Sequence, residues 1–91
     1  MSTFSQQEIL DGLAELVTEE TGLPAADVQL EKSFVDDLDI DSLSMMTIVD
    51  NAQDKFGVEI PDEAVTELKT VADAVNYITK AQSDATSVGQ V

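Results

Sequence analysis

Apolar residues recur at helical spacing in this chain, and signals for the start and end of a helix flank each run. In the first run, Ser5 with Glu8 three residues later is a capping-box pattern, and Gly22 is placed to end the helix. The apolar stripe repeats about every 100° and consists of Ile9, Leu10, Leu13, Leu16 and Val17. The sequence therefore predicts an amphipathic helix over about residues 5–21.

Three further segments complete the predicted architecture. A second helix is expected over Ser42–Phe56, with Gly57 ending it and with a buried stripe of Met45, Ile48, Val49, Ala52 and Phe56. A short third helix is expected after Pro61. Thr70 with Asp73 is another capping box, and it precedes a helix over about 71–81 with a stripe of Val71, Ala74, Val75 and Ile78. The predicted fold is all-α, a small four-helix bundle with three main helices and one short one.

The segment between the first two helices has no clean period, and a connection of this length is often functional. We expect it to be a long ordered loop, because six of its apolar side chains can pack against the core: Leu23, Val28, Leu30, Phe34, Val35 and Leu38. The small, polar residues 82–91 are expected to form a disordered tail, which leaves residues 1–81 as the bundle domain.

Charge narrows the choice of partners. The 91 residues include 19 acids and only four lysines, for a net charge of −15. Nucleic acid and anionic membranes would be repelled, whereas a basic protein surface would be attracted. The chain has no Cys and no His. Its N-terminus lacks a basic, apolar leader and no apolar run reaches membrane-spanning length, so we expect a cytoplasmic protein without membrane insertion.

The run "DDLDID" directly before the second helix raises the question of a metal site. Asp37, Asp39 and Asp41 have the 1-3-5 spacing of a calcium-binding EF-hand loop. That pattern then needs Gly where Ser42 stands and Glu where Ile48 stands, so the sequence predicts no dedicated metal site.

Two other interpretations of this run stay open from the residues alone. Asp41 is a good N-cap, but capping explains one or two acids rather than four. Ser42 has no His to activate it, which argues against catalysis by the chain itself. Leu43 falls on the polar face of the second helix, which suggests an acidic docking surface for a basic partner; its predicted members are Leu43, Met46, Thr47, Asp37, Asp39, Asp50 and Asp54.

An ordered set of motifs resembles the acyl carrier proteins. Asp41-Ser42-Leu43 matches the family's signature at the start of its second helix, and "SF-x-x-DL" at Ser33 precedes it. "F-x-x-x-IPDE" from Phe56 and "TV-x-x-A-x-x-YI" from Thr70 follow it, so the likeness extends to about residue 81. The chain departs from the family where Asp39 replaces a usual Gly, and where Ser44 and Thr47 replace frequent acids.

The resemblance implies a monomeric carrier, not an enzyme, that serves fatty-acid or related polyketide biosynthesis. It implies that a phosphopantetheinyl transferase uses Mg²⁺ to attach 4′-phosphopantetheine from coenzyme A to Ser42, beside Asp41 of the signature. The arm's thiol would carry acyl groups as thioesters between partner enzymes with basic patches. The alternative is an acidic adaptor that keeps this fold without a prosthetic group.

Overall fold

The computed structural model describes the backbone of residues 4–90 and the side chains of residues 4–82. Four α-helices appear in this part of the chain: α1 (Gln6–Thr21), α2 (Ser42–Phe56), the short α3 (Asp62–Val65) and α4 (Val71–Gln90). One 3-10 turn, Ala25–Asp27, lies in the loop between α1 and α2. The described residues form no strand, only an isolated bridge between Ser33 and Thr70. The predicted all-α, four-helix fold is confirmed.

The predicted helix ends are present as hydrogen bonds and backbone angles. At α1, the Glu8 N–H donates to Ser5 Oγ at 3.2 Å and the Ser5 N–H donates to Glu8 Oε1 at 2.8 Å. Thr70 and Asp73 exchange equivalent bonds at the start of α4, at 3.1 and 3.2 Å. Gly22 and Gly57 end α1 and α2 in the left-handed conformation, with φ of 83° and 65°. Glycine adopts this conformation without a steric penalty, which is why the helices stop there.

The apolar stripes of α1, α2 and α4 meet in one core, as the periodicity predicts. All the stripe residues named above are buried except Leu10, which is half-buried at the edge of the core. Full burial of each large side chain contributes about 1.5–3 kcal/mol relative to exposure. Packing of α1 against both α2 and α4 therefore holds the bundle together.

The loop between α1 and α2 is ordered, but the prediction for one of its side chains is wrong. Val28, Phe34 and Leu38 are buried, and Leu23 and Leu30 pack against the core at its edge. Val35, predicted to face the core, is 64% exposed. The turn that follows Ser33 directs the neighbouring Phe34 inward and so leaves Val35 in solvent. The inward position further along the loop is taken by Ile40, which is 1% exposed.

Backbone hydrogen bonds join this loop to the beginning of α4. The Phe34 N–H donates to the Lys69 carbonyl at 3.0 Å, and the Val71 N–H donates to the Lys32 carbonyl at 2.9 Å. A third bond runs from the Ala72 N–H to the Leu30 carbonyl at 3.0 Å. The bonds from Val71 and Ala72 satisfy N–H groups of the first turn of α4 that no helical carbonyl can reach. The loop is consequently a fixed part of the bundle.

The end of α4 differs from the prediction. The sequence predicts an end near Ala81, whereas the helix continues to Gln90. Gln82, which is 8% exposed, binds the backbone of Phe4 at both ends of its amide: the Phe4 N–H donates to Gln82 Oε1 at 3.0 Å, and Gln82 Nε2 donates to the Phe4 carbonyl at 2.6 Å. The Phe4 ring meets Phe56 edge to face, with centroids 5.1 Å apart. The division into a bundle of residues 1–81 and a separate disordered tail stays a prediction.

Candidate functional site

Ser42 is the first residue of α2 and is exposed. Asp41 holds the helix start in place, because the Ser44 N–H donates to Asp41 Oδ1 at 2.8 Å. Within the described part of the chain, the Ser42 hydroxyl has no hydrogen-bond partner. A serine in this position is open to modification by an external enzyme without loss of any bond within the bundle.

The carboxyl group of Asp41 caps the N-terminus of α2. Its pKa is lowered from the ordinary value, chiefly because the backbone N–H of Ser44 binds its charged form, with a second contribution from the Ser44 side chain. Asp41 is therefore ionised at neutral pH, and it favours the helix N-terminus both as a hydrogen-bond acceptor and as a charge on the positive end of the dipole. This confirms the capping interpretation for one of the four acids.

The remaining acids of the run lie in the turn that precedes Asp41. Asp37 accepts a 2.7 Å hydrogen bond from the Ser33 N–H through Oδ2, so part of its carboxylate shapes the turn. Asp36 and Asp39 are exposed, and Asp39 has a left-handed φ of 55°. Among the described residues, no three acids are gathered closely enough to hold a metal ion. The run therefore combines local structure with a negative surface around Ser42.

The predicted docking residues of α2 share the outer face of the helix. Leu43 is 80% exposed, and Met46 is half-buried beside it. Thr47, Asp50 and Asp54 are exposed further along the same face. The structure thus bears out the helical phase of these side chains. Their role in docking stays a prediction.

A cleft of about 590 Å³ adjoins Ser42. Its lining joins the acidic turn, the beginning of α2, and α3 with the residues after it. The apolar side chains in the lining are Phe34, Val35, Ile40, Met45, Met46, Val65 and Leu68. Val35, predicted to face the core, borders this cleft instead. In a loop without periodicity, two adjacent apolar residues give no signal for which of them faces inward.

Comparison with known proteins decides the family. A family model described as a phosphopantetheine attachment site matches residues 11–78. An acyl carrier protein of Micrococcus luteus is 71% identical over 79 residues, which cover 87% of this chain and 98% of the relative. The chain belongs to the acyl carrier protein family. An acyl carrier protein of Myxococcus xanthus is 73% identical over 74 residues, or 81% of this chain and 94% of the relative.

A solved structure supports the same assignment. The acyl carrier protein from Enterococcus faecalis superposes with a TM-score of 0.72 at 33% identity, covering 86% of this chain and 99% of that one. The resemblance noted from the motifs is thereby confirmed. As an acyl carrier protein, the chain is a carrier rather than an enzyme, takes part in fatty-acid biosynthesis and holds 4′-phosphopantetheine covalently. It works with a phosphopantetheinyl transferase and with synthase enzymes.

The residues around Ser42 fit this prosthetic group. A free hydroxyl is available for a phosphodiester bond, and an apolar cleft lies beside it for an acyl chain.

None of the helices, over the residues that the structure describes, is both apolar enough and long enough to traverse a bilayer.

Proposed function

We propose that Ser42 is the residue to which 4′-phosphopantetheine is attached. The observation that carries this proposal is the free, exposed hydroxyl of Ser42 at the start of α2, on the edge of the cleft. In the reaction, Ser42 Oγ forms a bond to the phosphorus next to the pantetheine half of coenzyme A, and the nucleotide half leaves. The bound group then supplies a terminal thiol, which can form thioesters.

The proton of the Ser42 hydroxyl must be accepted by the transferase. The chain contains no His, and the nearest carboxylate in sequence, Asp41, is held in its cap by Ser44. The product phosphate lies at a helix N-terminus, where the dipole favours an anion, but Asp39 and Asp41 oppose its charge. Because these effects act in opposite directions, the phosphate is expected to stay hydrated and the arm to stay mobile.

The cleft suggests where an acyl chain can shelter from water. Ile40, Met45 and Leu68 present apolar surface in a space that Ser42 also borders. An acyl chain that enters this space loses contact with water, at a gain of about 0.8 kcal/mol for each buried CH₂ group. The bundle would then carry the cargo in a protected form between enzymes.

The outer face of α2 is proposed as the docking surface for partner enzymes. Leu43 supplies an exposed apolar contact, Met46 and Thr47 flank it, and the acids of the surface are Asp37, Asp39, Asp50 and Asp54. Basic patches on the partners would complement this charge, and such contacts form rapidly and are sensitive to salt. Weak binding suits a carrier that must leave after each step.

We further propose that the protein acts as a monomer in the cytoplasm. A net charge of −15 opposes self-association, which supports the monomer.

Mass spectrometry after incubation with coenzyme A, Mg²⁺ and a broad-specificity transferase tests the attachment residue. Wild type and Ser44→Ala should each gain one phosphopantetheine group, whereas Ser42→Ala should gain none. Ser44 is a suitable control because it lies one position beyond Leu43 in the same helical turn. Modification of Ser42→Ala would refute the assignment. A wild-type protein that stays unmodified yet still binds the synthase enzymes would favour the adaptor without a prosthetic group.

A further inference from the structure

Val35 is an exposed apolar residue that packing does not explain. Among the described residues, three large hydrophobic side chains are exposed: Phe4 at 38%, Val35 at 64% and Leu43 at 80%. Phe4 packs its ring against Phe56, and Leu43 belongs to the outer face of α2. Val35 lies outside both groups. It borders the cleft that Ser42 also borders.

The backbone holds Val35 in a fixed position. Ser33 accepts hydrogen bonds from the N–H groups of Asp37 at 3.0 Å and Leu38 at 2.9 Å through its carbonyl, and from the N–H of Asp36 at 3.2 Å through its hydroxyl. Phe34, the residue before Val35, is 1% exposed and is bonded to Lys69 through its N–H. A side chain presented on such a turn loses little conformational freedom when a partner covers it, so contact there is efficient.

The surroundings of Val35 indicate the chemistry of the partner. Asp36 and Asp37 follow it directly and are exposed, and the ionised Asp41 borders the same cleft. An apolar contact surrounded by carboxylates fits a protein surface with an apolar depression and basic side chains around it. The transferase must approach this place, because its substrate hydroxyl is that of Ser42.

We propose that Val35 is a second apolar contact for the phosphopantetheinyl transferase, on the loop before Ser42, in addition to Leu43 on α2. The inference rests on the proposed role of Ser42. With one contact in the turn and one on the helix, the enzyme would hold the carrier on both segments that meet at the serine. Two fixed contacts define the orientation of a small bundle better than a single contact can, and orientation limits the rate of productive docking.

Steady-state kinetics of Ser42 modification test this proposal, with coenzyme A and Mg²⁺ held constant. Val35→Thr keeps the β-branched shape and replaces one methyl group by a hydroxyl; Val35→Ala removes both methyl groups. Each should lower kcat/KM by about three- to tenfold, mainly through KM, because apolar area is no longer buried on binding. Ala26→Ser is the matched control, since Ala26 is exposed on the 3-10 turn and does not border the cleft; it should leave kcat/KM unchanged.

Salt dependence separates the apolar contact from the charges around it. Raising the salt concentration should lower kcat/KM by the same factor for Val35→Thr and wild type, because the substitution removes no charge. Asp36→Asn should instead weaken the salt dependence.

The results of these experiments separate the Val35 proposal from a packing role and from a failure of the Ser42 assignment. Val35 variants that match wild type in kcat/KM, while Leu43→Ala loses activity, would overturn the proposal. A clear fall in melting temperature for Val35→Thr and Val35→Ala would also overturn it, because Val35 would then be a packing residue. Failure of the transferase to modify wild type would refute the role of Ser42 itself, and that result differs from a selective loss in the Val35 variants.

Discussion

Gly12 of α1 faces the side chains of Lys55 and Phe56 on α2, and substitution by Ala should destabilise the bundle despite the better helix propensity of Ala. A Cβ at position 12 would lie 2.6 Å from Phe56 Cζ, 3.1 Å from Phe56 Cε1 and 2.9 Å from Lys55 Cε. Lys55 can swing aside at the loss of its 3.3 Å ion pair with Glu15, and an exposed pair of this kind contributes about 0–1 kcal/mol. The buried Phe56 ring cannot move as freely, because it also contacts Phe4.

The expected magnitude follows from two opposing effects. Replacing Gly by Ala within a helix favours folding by about 1 kcal/mol. To restore a normal carbon–carbon contact of about 3.5–4.0 Å, the Phe56 ring must retreat by about 1 Å. Overpacking of this kind costs about 1–3 kcal/mol. The sum predicts that Gly12→Ala lowers the free energy of unfolding by about 1 kcal/mol, or the melting temperature by about 4–8 °C.

Urea unfolding followed by circular dichroism provides the assay, with Phe56→Leu as the second arm of a double-mutant cycle. Leu lacks the ring atoms that a Cβ at position 12 would strike. In the Phe56→Leu background, Gly12→Ala should therefore become stabilising by up to about 1 kcal/mol, which gives a coupling of about 2 kcal/mol. Stabilisation by Gly12→Ala in the wild-type background, with no coupling to Phe56, would refute the close approach of the two helices.

Two further predictions concern the acidic run. Asp39→Gly should raise the free energy of unfolding by about 0.5 kcal/mol, because relief of the left-handed strain exceeds the entropy cost of Gly. Asp39→Ala is the control, since it removes the same charge but keeps the strain. In urea titrations it should show no such gain. Asp41→Asn tests the cap through pH. The folded-state pKa of Asp41 is lowered, so its ionised form stabilises the fold above the unfolded-state pKa, and this contribution is lost as the pH falls through the lower, folded-state pKa. The stability difference between wild type and Asp41→Asn should therefore shrink on acidification in that range; a constant difference would show that the charge of Asp41 does not contribute to the cap.

The helices were predictable from sequence because their signals are local. The stripe of α2 repeats at helical spacing. Asp41 has the acceptor side chain that favours a helix start, and Gly57 lacks the Cβ that would oppose a left-handed helix end. The family motif around Ser42 lies at one of these ends, so its position in the fold followed from the same signals. The exposure of Leu43 followed from helical phase alone.

The loop was less predictable because contacts distant in sequence determine its path. Val35 faces solvent because Ser33 and the Lys69 carbonyl fix the turn around Phe34, and no periodicity encodes such bonds. The left-handed backbone of Asp39 had an indirect signal, since the motif resemblance implies a usual Gly at this position and Gly adopts a positive φ without steric cost. The end of α4 was misjudged because the small, polar residues after Ala81 lack a clear apolar stripe.

The pairing of Gln82 with Phe4 distinguishes the two ends of α2, because it lies beside Phe56 and away from Ser42. A carrier truncated after Ala81 would keep Ser42 and every residue of its cleft. It would lose the side-chain amide of Gln82, which holds Phe4 in contact with Phe56. Phe56 is separated from Ser42 by the length of α2, about 20 Å at 1.5 Å per residue. The end of the bundle beside Phe56 is thus held by the pairing of Phe4 with Gln82, and an acyl chain that entered the cleft beside Ser42, as proposed above, would leave that pairing undisturbed.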